Sequence, residues 1–165
     1  MPGRRVFLSL GSNLGDREQN LESALRLLEQ QNIEIVRRSS LYETEPQDFA
    51  SQPWFLNLAV ECRAKYFPLQ MLELVLEIER RLGRERHARE IPKGPRLIDI
   101  DILLYGRAVI DIPKLTVPHP GLLDRRFVLE PLVEIDRQLR HPVTGRLLRH
   151  HLLGLHGQIV RLYHN

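Results

Sequence analysis

The chain has 165 residues, room for one ordinary domain with a single core, and its 42% apolar and 27% charged residues are the balance of a soluble globular protein. One cysteine, Cys62, excludes an internal disulfide, and no apolar run reaches the length of a transmembrane helix. The net charge of +3 is too mild to define a polyanion binder, and with no signal or transit peptide legible the expected location is the cytoplasm.

Val6 to Leu10 reads as a short buried strand, ended by Gly11-Ser12-Asn13. Asp16 with Gln19 supplies a capping box for a helix that runs to about Gln30, with Leu21, Leu25 and Leu28 on one face. Ile33 to Tyr42 reads as a second strand. Glu43 to Pro53 carries two prolines and several polar residues, so it reads as a loop of lid-like length. Phe55 to Cys62 is a third strand; Pro68 opens a second helix and Gly83 closes it. That helix has an apolar stripe of Leu72, Val75, Leu76 and Leu82. A basic loop leads into the strand Leu97 to Leu103, and Val109-Ile110 adds a short hairpin partner after Tyr105-Gly106. Leu122 to Ile135 and Leu147 to Leu155 read as further short helices.

The order is β-α-β-β-α-β with a C-terminal helical extension. It predicts an α+β fold of the ferredoxin-like, split β-α-β plan, an antiparallel sheet with two helices on one face. Nothing reads as a repeat or a linker, so residues 1–165 are taken as a single domain.

Within Leu97-Ile98-Asp99-Ile100-Asp101-Ile102-Leu103 the side chains alternate faces, which sends the isoleucines one way and Asp99 and Asp101 together the other. Two acids one residue apart on one face repel unless a cation lies between them, and Mg²⁺ bound with substrate phosphates answers that need. Lys93-Gly94-Pro95-Arg96 is a tight turn that delivers a guanidinium to the same end of the strand. The stretch from Arg80 to Arg96 holds seven basic residues against Glu85 and Glu90, and such a run binds nucleic acid, binds phosphorylated small molecules, or is merely solvated. Arg84, Arg86 and Arg96 are candidates for gripping phosphate oxygens through two parallel hydrogen bonds.

Glu79 falls inside the apolar stripe of the second helix, where an acid is costly unless paired. It either reaches solvent at the helix end or pairs with the neighbours of Arg80 there, or it lines a pocket rim near the basic loop. His119, held between Pro118 and Pro120, either aims an imidazole at a phosphate or is an unremarkable loop residue. The remaining histidines lack zinc-ligand spacing. Phe55 and Asn57 share a strand face beside Thr44, and they either clamp a planar heterocycle or are an ordinary core pair. Gly11-Ser12-Asn13-Leu14-Gly15 lacks the Gly-Lys-Ser/Thr ending of a phosphate loop.

Several segments occur together in one order: Gly11-Ser12-Asn13-Leu14-Gly15-Asp16, Ser39-Ser40-Leu41-Tyr42-Glu43-Thr44, Phe55-Leu56-Asn57, Ile78-Glu79, Gly83-Arg84, Gly94-Pro95-Arg96 with Asp99 and Asp101, and Leu115-Thr116-Val117-Pro118-His119-Pro120. Over nearly the whole chain to about Ile135, this pattern resembles the 6-hydroxymethyl-7,8-dihydropterin pyrophosphokinase family of folate biosynthesis. The resemblance implies an enzyme that transfers diphosphate from ATP to the pterin's primary alcohol and releases AMP. By that resemblance Arg84, Arg96, Asp99 and Asp101 are catalytic, and Asp99 and Asp101 hold two Mg²⁺. ATP is bound by Glu79, Arg84, Arg86, Arg96, Ile102, Thr116, His119 and Arg125. The pterin is bound by Thr44, Phe55, Asn57, Asp99 and Phe127, its ring between two aromatics. Lys93 stands where the family often carries an aromatic residue just before Gly-Pro-Arg. The implied partners are ATP and hydroxymethyldihydropterin, with no nucleic acid or membrane and a monomeric state.

The expected mechanism is in-line attack of the pterin hydroxyl on the β-phosphorus of ATP; Asp99 is a candidate to help remove the proton, a role the sequence alone leaves open. The loops Glu43–Pro53 and Arg84–Pro95 are expected to close and exclude water. The rival from another class is a small ferredoxin-like RNA-binding module, but aromatics make up only 6% of the chain and the two acids would repel a phosphate backbone.

Overall fold

The computed structural model describes residues 3–46, 51–83 and 97–164. β1 (Arg4–Ser12), α1 (Arg17–Gln30), β2 (Glu34–Arg38), β3 (Tyr42–Thr44), β4 (Phe55–Ala64) and α2 (Pro68–Arg81) come first. They are followed by β5 (Asp99–Tyr105), β6 (Ile110–Ile112), β7 (Leu115–Val117), α3 (Arg126–Ile135), α4 (Leu148–Leu152) and β8 (Val160–Leu162). The main sheet has the order β5-β1-β4-β3-β8, with β2 also pairing β4, and every one of these pairings is antiparallel.

Local chemistry explains most boundaries. The Asp16 carboxylate caps α1 by accepting from the Gln19 N–H at 3.1 Å, while the Gln19 side chain donates to Ser23 at 3.2 Å rather than back to the cap. Leu21, Leu25 and Leu28 are buried as expected. The expected single strand Ile33–Tyr42 is instead two. Ser39 interrupts it: its hydroxyl accepts from the Ala59 N–H at 2.9 Å, a position a backbone carbonyl would otherwise fill. α2 starts at Pro68 and is followed by Gly83, whose φ of +118° suits glycine.

The buried stripe of α2 is Met71, Val75 and Ile78, joined by Glu79, whereas Leu76 is 40% exposed. The expected stripe is therefore rotated toward Met71, because α1 and the sheet decide which of two overlapping apolar spacings is covered.

The sheet is covered on both faces, where one covered face was expected. Val6, Leu8, Leu10, Leu58, Val60, Cys62, Ile100 and Ile102 pack with the buried residues of α1 and α2. On the other face Phe7, Ala59, Leu103 and Leu104 pack with Val128, Leu129, Leu132 and Val133 of α3 and with Leu148 of α4. A register shift in β5 makes this fit. Leu8 opposes Ile102 and Phe7 opposes Leu104, so Leu103 is the extra residue and both leucines reach the second core.

The C-terminal extension is not wholly helical, since β8 pairs β3. β6 pairs β7 in a separate two-stranded sheet and not β5. Cys62 is fully buried and burial pushes its thiol up to about 12, which keeps it inert. Among the described residues no helix is long and apolar enough to cross a membrane.

Candidate active site

One row of paired residues crosses three strands: Asp99 of β5 opposes Gly11 of β1, and Gly11 opposes Asn57 of β4. The next row is Asp101, Ser9 and Ala59. Directly opposed residues share a face, so Asp99, Asp101 and Asn57 lie on one side of the sheet. That side is the one α3 covers at Phe7 and Ala59. Phe55, two residues before Asn57, joins them and opposes Thr44 of β3.

At the Asn57 end the geometry is tight. Asn57 Nδ2 donates to Thr44 Oγ1 at 2.6 Å, both groups buried. A Cβ on residue 11 would lie 2.4 Å from Asn57 Oδ1 and 3.5 Å from Phe55, so the amide and the aromatic edge depend on glycine there. Asn13 anchors the far end of the preceding loop, donating to Gln52 Oε1 at 2.9 Å and to the Pro53 carbonyl at 3.0 Å.

At the carboxylate end, Glu79 does not reach solvent. It is 1% exposed, and its Oε2 accepts from the Ile100 N–H at 3.0 Å. The buried acid of α2 therefore grips β5 between Asp99 and Asp101.

His119 approaches from the turn after β7, its N–H donating to the Leu103 carbonyl at 3.0 Å. Its Nδ1 accepts from the Gly121 N–H at 3.0 Å, which assigns the proton of the neutral ring to Nε2, 3.9 Å from Asp101 Oδ1. Burial, and then the charge of Arg125, lower the His119 pKa. Arg125 lies over Gly121, where a Cβ would come within 2.6 Å of its Nε, and its guanidinium carbon is 5.8 Å from the Phe127 ring centroid.

Thr44, Phe55 and Asn57 thus form one cluster and Asp99, Asp101, His119 and Arg125 another, on one face. Phe127 is partly buried on α3 against the second core. Thr116 is exposed on β7, and the Ile102 side chain is buried in the first core. Arg84, Arg86 and Arg96, with Lys93, lie outside the described residues, as does the centre of the Glu43–Pro53 loop. Gly11 stands inside β1, whereas the sequence pattern ends the strand at Leu10 and gives no reason to place a glycine against Asn57.

Asp99 and Asp101 are partly exposed side chains from one strand face. Among the described residues no group of three or more His, Cys, Asp or Glu could hold a metal. Two carboxylates fit Mg²⁺ that keeps water and substrate phosphate as its other ligands, as that ion prefers.

A family model described as 7,8-dihydro-6-hydroxymethylpterin-pyrophosphokinase matches residues 7–137. The 2-amino-4-hydroxy-6-hydroxymethyldihydropteridine pyrophosphokinase of Bacillus subtilis (strain 168) is 45% identical over 141 residues, covering 85% of this chain and 83% of that protein. The folic acid synthesis protein fol1 of Pneumocystis carinii is 43% identical over 140 residues, 85% of this chain but only 18% of that much longer protein. Among solved structures, wild-type Plasmodium falciparum HPPK-DHPS with pteroate aligns with a TM-score of 0.73 over 93% of this chain and 43% of its own, at 16% identity, a likeness of fold.

Proposed function

The chain belongs to the 7,8-dihydro-6-hydroxymethylpterin-pyrophosphokinase family, and from that premise we propose that it transfers diphosphate from ATP to the hydroxymethyl group of 6-hydroxymethyl-7,8-dihydropterin, releasing AMP, in folate biosynthesis. The observation that carries this reading is the Asp99–Gly11–Asn57 row. It sets the carboxylates and the buried amide two interstrand spacings apart, about 10 Å, on one face of the sheet. That span suits a substrate whose planar ring is held at one end and whose alcohol reacts at the other.

In this reading Asn57 and Thr44 meet the polar edge of the pterin, and Phe55 and Phe127 take its two faces. Arg125, His119, Glu79, Thr116 and the backbone at Ile102 belong to the ATP side. Arg84, Arg86 and Arg96 are assigned to its phosphates from their motif alone. The neutral His119 ring presents Nε2–H as a donor and cannot take a proton there. The alcohol oxygen attacks the β-phosphorus, and the bond to the oxygen bridging the α- and β-phosphates breaks, so AMP leaves opposite. Asp99 accepts the alcohol proton. Asp99 and Asp101 would hold two Mg²⁺, which when bound neutralise phosphate charge and polarise the reacting phosphoryl group.

The strand order, with α1 and α2 on one face, supports the ferredoxin-like plan, here extended by α3, α4 and β8. We take residues 1–165 as one monomeric domain, and the inert, unpaired Cys62 suits the reducing cytoplasm. Incubation with ATP, Mg²⁺ and hydroxymethyldihydropterin should yield AMP and the pterin diphosphate in equal amounts. Formation of ADP, or no pterin-dependent AMP, would overturn the reading.

A further inference from the structure

Glu134, in the last turn of α3, collects three hydrogen bonds, two from Ser40 in the connection between β2 and β3 and one from Tyr42 of β3. Tyr42 Oη donates to its Oε1 at 2.5 Å; Ser40 donates to its Oε2 through the backbone N–H at 2.9 Å and through the hydroxyl at 3.0 Å. A carboxylate suits this cluster because both its oxygens accept and neither donates. Burial, and then the bond to Glu134, raise the Tyr42 hydroxyl well above its ordinary pKa, so it remains a donor.

The far end of the same helix lies by the other end of β3. The Arg126 N–H donates to Gln158 Oε1 at 2.7 Å, Gln158 Nε2 donates to the Asp124 carbonyl at 2.9 Å, and the Ile159 N–H donates to Glu45 Oε1 at 3.0 Å. α3 therefore runs antiparallel to β3. Its last turn is at Tyr42, the register partner of Asn57, and its first turn, with Phe127, is at the Thr44–Glu45 end, where Thr44 opposes Phe55.

The apolar stripe Val128, Leu129, Leu132 and Val133 sets how deeply α3 sits on the sheet. Such contacts are non-directional and constrain sliding along the helix axis less than directed hydrogen bonds do. Pro131 has no N–H, so the Phe127 carbonyl lacks its i+4 partner and the first turn leans more on ties outside the helix.

We infer that Ser40, Tyr42 and Glu134 form a lock that fixes α3 along its axis and so sets where Phe127 stands against Thr44, Phe55 and Asn57. This rests on the reading of Phe127 and Asn57 as two sides of the pterin subsite. Tyr42 and Glu134 are then positioning residues for the pterin and do not touch the reacting atoms. Arg125 caps the same helix through its backbone, while its guanidinium packs over Gly121 in the turn that His119 pins to β5.

The test is calorimetry with hydroxymethyldihydropterin in the presence of Mg²⁺ and a non-hydrolysable ATP analogue, on the full chain. Glu134→Gln keeps the side chain's size but leaves one acceptor oxygen for three donors. It should weaken pterin binding roughly tenfold, the scale of one hydrogen bond to a charged group. Tyr42→Phe removes one bond of the three and should cost less. In the double variant Tyr42→Phe should add little, because the lock is already open. Affinity for the ATP analogue should stay near the parent's in all three.

A Glu134 that served only stability would lower the melting temperature and leave the ratio of pterin to ATP-analogue affinity unchanged, and that result overturns the lock. Phe127→Ala separates the two ways of failing. If it weakens pterin binding while Glu134→Gln does not, the lock is wrong and the clamp stands. If neither variant weakens pterin binding, the pterin subsite lies elsewhere and both readings fall.

Discussion

Asn57 rests its amide oxygen against the backbone of Gly11, across the central pair of strands, at a place where any Cβ would come within 2.4 Å of it. The neighbour most affected is itself committed, since Asn57 Nδ2 is bonded to Thr44 at 2.6 Å. Asn57 cannot yield to a new methyl group without giving up that bond. Gly11→Ala should therefore cost about 1–3 kcal/mol of stability, the scale of overpacking in a dense interior. It should also abolish pterin binding well before it unfolds the chain. Thermal melting and pterin calorimetry on the same sample check this; an alanine variant with parental pterin affinity would mean that the amide is not a ligand.

The Glu43 carboxylate holds β8 in place, and acid should loosen it. Arg161 and then Arg17 bond it, each at 2.9 Å, and keep it below its ordinary value of 4.5, while burial opposes them. Because the folded-state value is depressed, the contribution to stability is fully present above pH 4.5 and is lost as pH falls through the folded value. Arg161 is 63% exposed, so salt should weaken the effect. The protection factors of the Val160–Leu162 amides, referred to the intrinsic exchange rate at each pH, should fall as the pH is lowered through this range, and Glu43→Gln should show low protection at every pH. Equal protection in both proteins across the range would dismiss the anchor.

Glu79→Ala should leave the Ile100 N–H without its acceptor and cost about 1–3 kcal/mol, the desolvation penalty of an unpaired buried donor. Glu79→Gln retains an acceptor oxygen and should cost less. Both should lower turnover more than their loss of stability explains, since Ile100 stands between Asp99 and Asp101. Urea unfolding paired with kcat at saturating substrates separates the two effects. Alanine and glutamine variants of equal stability would remove the hydrogen bond from the explanation.

Legibility in the sequence followed the range of the interactions involved. The alternation of Ile98, Ile100 and Ile102 with Asp99 and Asp101 is local, so the facing of the two acids could be read directly. The Asp16 cap and the Pro68 and Gly83 boundaries are equally local. Gly11 reads as the end of a strand because its reason for being glycine is Asn57, on a neighbouring strand distant in sequence. The choice between Met71 and Leu76 as the buried side of α2 depends on where α1 and the sheet lie. β8 has three residues, and pairing with β3 rather than its own pattern makes it a strand. The Ser40–Tyr42–Glu134 cluster joins residues far apart in the chain, each of a kind common on surfaces, and no spacing announces it.

Asp99 and Asp101 carry the last prediction. Both lie on one strand face, opposite Gly11 and Ser9 in the register of β1. Asp99→Ala or Asp101→Ala should abolish pterin-dependent AMP release while leaving the fold intact. The same geometry predicts how the metal behaves. Two carboxylates form only part of an Mg²⁺ shell, and the ion usually draws the rest from water and phosphate. Mg²⁺ alone should therefore barely raise the melting temperature. Mg²⁺ with a non-hydrolysable ATP analogue should raise it clearly, because a ligand bound to the folded state alone stabilises it by mass action. In the Asp101→Ala variant the joint effect should shrink toward that of the analogue without metal. A large shift from Mg²⁺ alone would reveal a complete protein-built site, and an undiminished joint shift in the variant would take the metal away from β5.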